Sequence, residues 1–322
     1  MRKKQIAVCD EESDYTQRFA RYANRYREPL FMVHGYSDME ELLKDTKEHP
    51  ADILLLSKNI AGELAKEKQT GQIICLTEEE YQEEEPEYPV IYKYQSCPQI
   101  LRKAYAIYAE RTPLSLGTAR HLGEMKRIGV FSPLGRMGKT GFALSFGKEL
   151  AKQRRVLYLN MEEFSGFETL YPCESGQTLS ELMYFMKQGK KAFACKLESI
   201  IRQVGGLDYI PPVKLPVELK DIEEKDWEEL FTALENESRY EFVILDLSFG
   251  VNGLFELLER CDKIYMPVAS DETARAKLGQ YQDTLKLLEM QEILEKTEEI
   301  TFSGIEQMEG YGKIEGKRWS KH

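Results

Sequence analysis

The residues best suited to chemistry lie in a glycine-rich turn that follows a short apolar run at positions 128–131. The turn and its continuation read Gly135, Arg136, Met137, Gly138, Lys139, Thr140 and Gly141. Glycines let backbone N–H groups close around phosphate oxygens, and a helix that begins there points its positive end at them. In such a loop the lysine reaches the β and γ phosphates, and the threonine hydroxyl ligates Mg²⁺. The turn therefore predicts a nucleotide-phosphate site with Mg²⁺, whereas the plainer interpretation is an ordinary turn with an exposed lysine.

Two positions depart from the usual phosphate-loop pattern. Pro133 stands where the spacing before the lysine requires a glycine, and Gly141 replaces a second hydroxyl residue. The order of strand, glycine turn, Lys-Thr and helix still favours phosphate binding.

Two acidic residues follow apolar strands further along the chain. Asp246 closes a strand predicted at 241–245 and is expected to hold Mg²⁺ opposite Thr140, so that these two residues form the predicted metal site. The simpler alternative is an aspartate that caps a strand end. Glu162 follows a strand predicted at 156–159 and could act on an attacking water, with a plain surface role as its alternative. The candidate catalytic residues are Lys139, Asp246 and Glu162.

Alternating strand and helix patterns predict two α/β units, each with a doubly wound sheet. The first unit covers residues 1–112, with strands predicted at 5–9, 30–33, 52–56, 72–76 and 90–92 and a closing helix at 98–110. A linker is expected at 113–126, a larger and mostly parallel sheet over 127–303, and an irregular tail at 304–322. Helices are predicted at 191–204 and 271–295, and a last strand at 300–302.

Composition and charge limit the classes of partner. The chain has 322 residues and a net charge of −11, and nucleic acids or anionic membranes require a cationic face. A broad surface of this protein is therefore not expected to bind nucleic acid or an anionic membrane. The cysteines are scattered without a C-x-x-C pair, which is typical of reduced thiols in the cytoplasm. No stretch approaches the length that spans a membrane, so stable membrane insertion is not expected.

The predicted strand ends of the first unit resemble those of a response-regulator receiver domain. Asp10 and Glu11 match its acidic pair, Thr77 its hydroxyl residue and Lys93 its lysine. Ser57 stands where receivers carry the phosphate-accepting aspartate, and serine lacks that carboxylate and its charge. The resemblance implies a pseudo-receiver that docks or dimerises without being phosphorylated. The alternative is a set of solvated charges at strand ends.

Residues 127–295 resemble the ParA/MinD family of deviant P-loop ATPases. The matching features are the loop at 135–140, the strand that ends at Asn160, the VILDLS strand with Asp246, and the segment at 261–277. The family places aspartates where this chain has Asn160 and Glu162, and they position Mg²⁺ and the attacking water. The resemblance implies ATP and Mg²⁺ as ligands, a homodimer, and a P-loop fold for this unit.

With a pseudo-receiver in front, the architecture resembles the CpaE/TadZ branch, which is linked to positioning the Tad (Flp) pilus machinery. This implies a cytoplasmic protein recruited to the cell pole or the inner face of the membrane. Its partners would be pilus-assembly or polar-localisation proteins. One departure concerns catalysis, because Leu134 replaces the family's loop lysine that crosses the dimer interface. Slow hydrolysis is therefore expected, unless Arg136 takes over that role.

Two other functions stay open at this point. A DNA-partitioning ATPase would need a basic surface near the C-terminal helices, and a structural scaffold would have a pocket that binds no nucleotide. Membrane association of the MinD type would need a terminal amphipathic helix, and the stretch from Lys313 is short and interrupted by glycine.

Overall fold

The computed structural model describes residues 3–25, 30–64, 71–79, 87–112, 124–172 and 176–320. The chain divides into a first unit, made of residues 1–118 and 190–199, and a second unit, made of residues 119–189 and 200–322. The predicted linker at 113–126 lies outside the described residues up to position 123. The same holds for most of the glutamate-rich run at 78–87. The proposed domain boundaries therefore stay a prediction.

Strands and helices alternate along the first unit. Its strands are β1 (Lys4–Cys9), β2 (Phe31–Tyr36), β3 (Ile53–Ser57), β4 (Gln72–Thr77) and β5 (Val90–Tyr92), and its first helices are α1 (Ser13–Arg25), α2 (Met39–Glu48), α3 (Lys58–Leu64) and α4 (Cys97–Arg111). In the described residues these strands form one parallel sheet in the order β2-β1-β3-β4-β5. This is the flavodoxin-like order, which confirms the predicted small doubly wound sheet.

The second unit is built on a larger sheet. Its strands are β6 (Lys126–Val130), β7 (Val156–Met161), β8 (Arg202–Val204), β9 (Leu207–Ile210), β10 (Phe242–Leu247), β11 (Lys263–Pro267) and β12 (Thr297–Ile300). Their order in the described residues is β12-β11-β6-β10-β7-β9-β8. Each neighbouring pair there is parallel except β8 with β9. The sheet is mostly parallel, as predicted.

Helices connect these strands and cover the sheet. They are α5 (Lys139–Leu150), α6 (Phe167–Leu170), α7 (Leu179–Lys187), α8 (Phe193–Ile200), α9 (Pro216–Lys220), α10 (Glu224–Glu237), α11 (Leu254–Glu259), α12 (Glu272–Leu287), α13 (Glu292–Glu295) and α14 (Ile305–Ser320). Helix α8, up to residue 199, groups with the first unit. In the described part of the chain, no helix is both long enough and apolar enough to cross a membrane.

The core beneath α5 fixes the position of the glycine turn. Phe142 and Phe146 on α5 are fully buried and belong to the same apolar cluster as Ile128 on β6 and Ile244 on β10. Burial of a large apolar side chain contributes about 1.5–3 kcal/mol. The first helix after the turn is therefore held firmly against the central strands of the sheet.

The prediction of an irregular tail at 304–322 is wrong, because most of that segment forms α14. Two of its glycines lie against α5. A Cβ atom added at Gly312 would lie 2.8 Å from the Phe146 backbone nitrogen, and one added at Gly316 would lie 2.6 Å from the Glu149 Cβ. Glycine lowers local helix propensity, but here it lets two helices approach closely, and tertiary packing outweighs propensity.

Two predicted helices also end earlier than expected. The helix predicted at 191–204 is α8 followed by the edge strand β8. The helix predicted at 271–295 ends with α12 at Leu287, because Glu289 adopts a left-handed conformation with φ of 60°. The last strand, predicted at 300–302, is β12 and lies a few residues earlier.

Candidate nucleotide-binding site

The glycine turn joins the end of β6 to the start of α5. Gly138 precedes the first residue of α5 and has φ of 74°, in the left-handed region that favours glycine. The Ser132 hydroxyl donates to the Pro267 carbonyl at 2.7 Å and accepts from the Leu134 backbone N–H at 3.1 Å. These bonds attach the beginning of the turn to the end of β11.

The predicted phosphate-binding residues differ in exposure along the turn. Gly135, Arg136 and Gly141 are exposed, whereas Met137, Gly138, Lys139 and Thr140 are partly buried. Leu134 is buried. Arg136 also has a positive φ, of 59°. The exposed Arg136 is thus the cationic residue of the turn that faces solvent, whereas Lys139 is held inside the site.

Helix α14 lies over the end of the turn. A Cβ atom added at Gly138 would lie 2.2 Å from the Met308 Sδ and 3.4 Å from a ring carbon of Phe302. Only a glycine leaves room for the Met308 side chain here. This apolar contact beside the turn could not be foreseen from a segment expected to be irregular.

Lys139 forms an ion pair at the floor of the turn. Its Nζ lies 2.5 Å from Glu162 Oε1, and the two side chains are 13% and 24% exposed. Glu162 follows the end of β7, so this pair connects the start of α5 to the neighbouring strand. The sequence predicted both residues for the site, and the structure brings them together.

Asp246 lies at the carboxyl end of β10 and is completely buried. Burial raises the pKa of this carboxyl to about 6, while the Thr140 hydroxyl and the Lys139 ammonium act in the opposite direction. Asp246 Oδ2 accepts a hydrogen bond of 2.8 Å from the Tyr158 hydroxyl. Among the described residues, Asp246 Oδ1 has no hydrogen-bond partner of regular geometry. Tyr158 therefore holds one oxygen of this carboxyl, and the carboxyl also lies beside the Thr140 hydroxyl and the Lys139 ammonium.

A short chain of hydrogen bonds continues from Tyr158. Asn160 Nδ2 donates to the Tyr158 hydroxyl oxygen at 3.0 Å, and the Glu162 backbone N–H donates to Asn160 Oδ1 at 3.1 Å. Burial, together with the charge of Asp246, raises the pKa of Tyr158 well above its usual value, so this phenol stays neutral. Sequence reasoning missed Tyr158, although residues 158 and 160 share one face of a strand, and a buried tyrosine hydroxyl usually requires a partner.

The residues present fit a hard divalent cation such as Mg²⁺. Such ions prefer oxygen ligands, and Thr140 and Asp246 supply a hydroxyl and a carboxylate. A buried polar atom without a partner is costly, and a bound ion or its water shell would satisfy Asp246 Oδ1. Lys139 is a suitable partner for phosphate oxygens. The structure thus gathers Lys139, Thr140, Glu162 and Asp246 at one edge of the sheet.

Comparison with known proteins gives only distant similarities. No family model matches the sequence, and no curated protein matches it. A putative plasmid partition protein from Borrelia burgdorferi bound to AMPPNP is 17% identical, with 61% of this chain and 99% of that chain covered and a TM-score of 0.42. A ParA family ATPase from Chlorobium tepidum is 15% identical, with 62% and 100% covered and a TM-score of 0.46.

A third similar structure is a cobyrinic acid a,c-diamide synthase from Mycobacterium smegmatis with a bound ATP analog and magnesium. It is 15% identical, with 62% of this chain and 93% of that chain covered and a TM-score of 0.44. Because these TM-scores lie below 0.5, the assignment of function rests on this chain's own residues.

Proposed function

We propose that the chain is a Mg²⁺-dependent ATP-binding protein of the ParA/MinD kind that hydrolyses ATP slowly. One observation carries the proposal: Asp246 is completely buried beside Thr140 and Lys139, and its Oδ1 forms no hydrogen bond of regular geometry with the described residues. A buried carboxylate oxygen without a well-formed hydrogen bond costs free energy, and a bound cation would offset that cost.

Each residue of the site has a role in this proposal. Thr140 and Asp246 would hold Mg²⁺, and Lys139 would move from Glu162 to the β and γ phosphates. With ATP and Mg²⁺ bound, the reaction would be transfer of a phosphoryl group from ATP to water. Glu162, once released, lies where it can orient that water. The backbone N–H groups at the start of α5 would donate to the same phosphates, and the left-handed Gly138 permits the turn that precedes them.

Slow turnover follows from the residue at position 134. A cation inserted at the transferred phosphate contributes about 10³-fold or more to the rate of phosphoryl transfer. Leu134 is apolar and buried, so it supplies no such charge. Arg136 is exposed near Leu134. It would supply this positive charge only to the site of a partner subunit, or to its own site after a change in conformation.

The cellular role we propose is to position or assemble Tad (Flp) pilus machinery as a homodimer of the CpaE/TadZ type. We place the protein in the cytoplasm, recruited to the cell pole or the inner face of the membrane. The first unit supports a pseudo-receiver role. Lys93 Nζ lies 3.0 Å from the buried Asp10, and Ser57 is the last residue of β3, where a receiver domain would carry its acceptor aspartate. This unit would bind pilus-assembly or polar-localisation proteins.

Replacement of the loop lysine tests the nucleotide site. ATP affinity with Mg²⁺ should be measured by calorimetry for the wild type, Lys139→Ala and the control Lys152→Ala. Lys152 follows the end of the same helix and its side chain is 65% exposed. Lys139→Ala should weaken binding by about tenfold or more, since it removes a charge-assisted contact. Equal affinities for the wild type and Lys139→Ala would refute the site.

A further inference from the structure

The hydrogen bonds around Tyr158 can run in only one direction. The Glu162 backbone N–H can only donate, so the Asn160 atom that faces it must be Oδ1. The amide nitrogen of Asn160 therefore faces the Tyr158 oxygen and donates to it. The hydroxyl proton of Tyr158 is then left to bond Asp246 Oδ2 at 2.8 Å. The direction of each bond follows from a main-chain group, without reference to any ligand.

We infer that Tyr158 and Asn160 are positioning residues for Mg²⁺, an inference that rests on the proposed function. Tyr158 fixes one oxygen of Asp246 and so keeps Oδ1 aimed at the ion, and Asn160 keeps the Tyr158 hydroxyl pointed at Asp246. The three side chains are 0%, 2% and 0% exposed for Tyr158, Asn160 and Asp246, so water cannot replace these bonds without a rearrangement. Hydrogen-bond partners of a metal-binding carboxylate set its orientation in this way.

The chain of bonds also reaches the phosphate side of the site. Glu162 contributes its backbone N–H to Asn160 and its carboxylate to Lys139. The same short segment after β7 therefore supports both the residue that holds the ion and the residue that contacts phosphates. If Glu162 shifts when Lys139 binds nucleotide, the side chains of Asn160 and Tyr158 would transmit that displacement to Asp246.

The test measures the Mg²⁺ concentration that half-saturates the increase in affinity for a fluorescent ATP analogue. Tyr158→Phe removes only the hydroxyl and keeps the ring, which stacks on Phe167 with centroids 5.9 Å apart. The matched control is Tyr281→Phe, because Tyr281 is buried in the same unit and its hydroxyl has no partner among the described residues. Tyr158→Phe should raise the half-saturating Mg²⁺ concentration about tenfold, with nucleotide affinity in EDTA nearly unchanged. The control should resemble the wild type.

A purely structural role for Tyr158 gives a different result. In that case Tyr158→Phe would weaken nucleotide binding equally with Mg²⁺ and with EDTA, or would leave the Mg²⁺ midpoint unchanged. Either outcome overturns the inference. Asn160→Leu, which is similar in size but cannot hydrogen-bond, should move the midpoint in the same direction by a smaller factor. If Tyr158→Phe does not fold, the Mg²⁺ midpoint of Asn160→Leu provides the test instead.

A double-mutant cycle shows whether Tyr158 acts through Asp246. In the Asp246→Asn background, Tyr158→Phe should cause no further shift of the Mg²⁺ midpoint, and an equal shift in both backgrounds would overturn the inference. If the wild type binds no nucleotide at any Mg²⁺ concentration, the proposed function fails and the inference fails with it. If the wild type binds and Tyr158→Phe keeps the wild-type midpoint, only the inference fails.

Discussion

The Lys139 ammonium already has an anionic partner before any phosphate enters the site. Glu162 holds it at 2.5 Å, and both side chains are mostly buried. Incoming phosphates must compete with this carboxylate for the same charge. If the proposed function holds, the ion pair should weaken nucleotide binding, while it gives a partly buried cation an anionic partner in the absence of nucleotide.

Glu162→Gln should therefore tighten ATP binding, because the amide no longer holds the Lys139 ammonium. The expected gain is about 1 kcal/mol, or roughly fivefold in affinity, measured by calorimetry with Mg²⁺. If Glu162 also orients the attacking water, turnover of bound ATP should fall in the same variant. Glu168→Gln, at an exposed position of α6, should change neither quantity. Weaker binding by Glu162→Gln would show that the carboxylate helps the nucleotide rather than competing with it.

The sequence predicted four of the residues that the structure brings together at this edge of the sheet, but it did not predict Tyr158. Lys139, Thr140, Glu162 and Asp246 belong to local patterns, a glycine turn and polar residues at strand ends. Tyr158 lies inside an apolar strand, where a tyrosine is usually a core residue, and its partner Asp246 is 88 residues away. Which side chain its hydroxyl meets depends on strand order, and no local spacing encodes strand order.

Helix α14 depends on glycines that would ordinarily weaken a helix. Gly312 and Gly316 are one helical turn apart and lie against α5, where a Cβ would meet the Phe146 backbone in the first case and the Glu149 side chain in the second. Polar side chains of α14 also bond the core: the Tyr265 hydroxyl donates to Glu315 at 2.7 Å, and the Trp319 indole N–H donates to that hydroxyl at 2.8 Å. The local sequence predicted an irregular segment because glycines lower helix propensity, and the sequence pattern does not show that α14 packs against α5.

Two glycine substitutions on α14 should have opposite effects on stability. Gly312→Ala should destabilise by about 1–3 kcal/mol, because its Cβ would meet the α5 backbone at 2.8 Å. Gly310→Ala should stabilise by up to about 1 kcal/mol, because that position is open and alanine favours the helix. Urea unfolding of both variants measures the free energy of unfolding. Equal effects of the two substitutions would contradict the close packing of α14 on α5.

Helix α10 is attached to α7 through a buried carboxylate. Asp226 accepts the Glu223 backbone N–H at 2.8 Å and pairs with Lys187 at 2.7 Å, with its side chain 5% exposed. Burial alone would raise the pKa of Asp226, but the bonds from Lys187 and from Glu223 outweigh it, and the pKa is lowered. The charged form is therefore the one that stabilises the fold.

This shift sets the sign of a pH dependence. Because the pKa of Asp226 is lower in the folded state, its stabilising contribution is present above the unfolded pKa of about 3.9 and is lost as pH falls below it. Asp226→Asn should reduce the free energy of unfolding at neutral pH and flatten its decline in acid. Urea unfolding from pH 7 down to the acid transition, for the variant and the wild type, measures both effects. Parallel curves would exclude this role for Asp226.

At the scale of the whole molecule, the parallel character of both sheets followed from sequence patterns, whereas the grouping of one later segment did not. Continuous apolar strands and their alternation with helices predicted two parallel sheets. Residues 190–199, by contrast, group with the first unit, where Lys196 lies 3.4 Å from Glu110. A local helical pattern at 191–204 contains nothing that indicates which sheet the helix will join.

The net charge of −11 gives an expectation that distinguishes the proposed role from DNA partitioning by experiment. Phosphate neutralisation supplies most of the free energy of non-specific DNA binding, so an acidic protein should bind a short duplex more weakly than about 10 µM at physiological salt. Fluorescence anisotropy over a range of salt concentrations, with and without Mg²⁺ and ATP, measures this. Tight binding with a steep salt dependence would instead indicate a local basic surface and favour partitioning.

The contact between α5 and α14 has a consequence for synthesis on the ribosome. Ser145 and its partner Glu309 are 164 residues apart, so translation at about 5–20 residues per second separates their emergence by roughly 10–30 s. During that interval the nascent chain carries the lysine-bearing helix without its covering helix, and its apolar residues are open to chaperones. The packing of α5 is therefore completed only after residue 309 has left the ribosome, so its final stability arises late in synthesis.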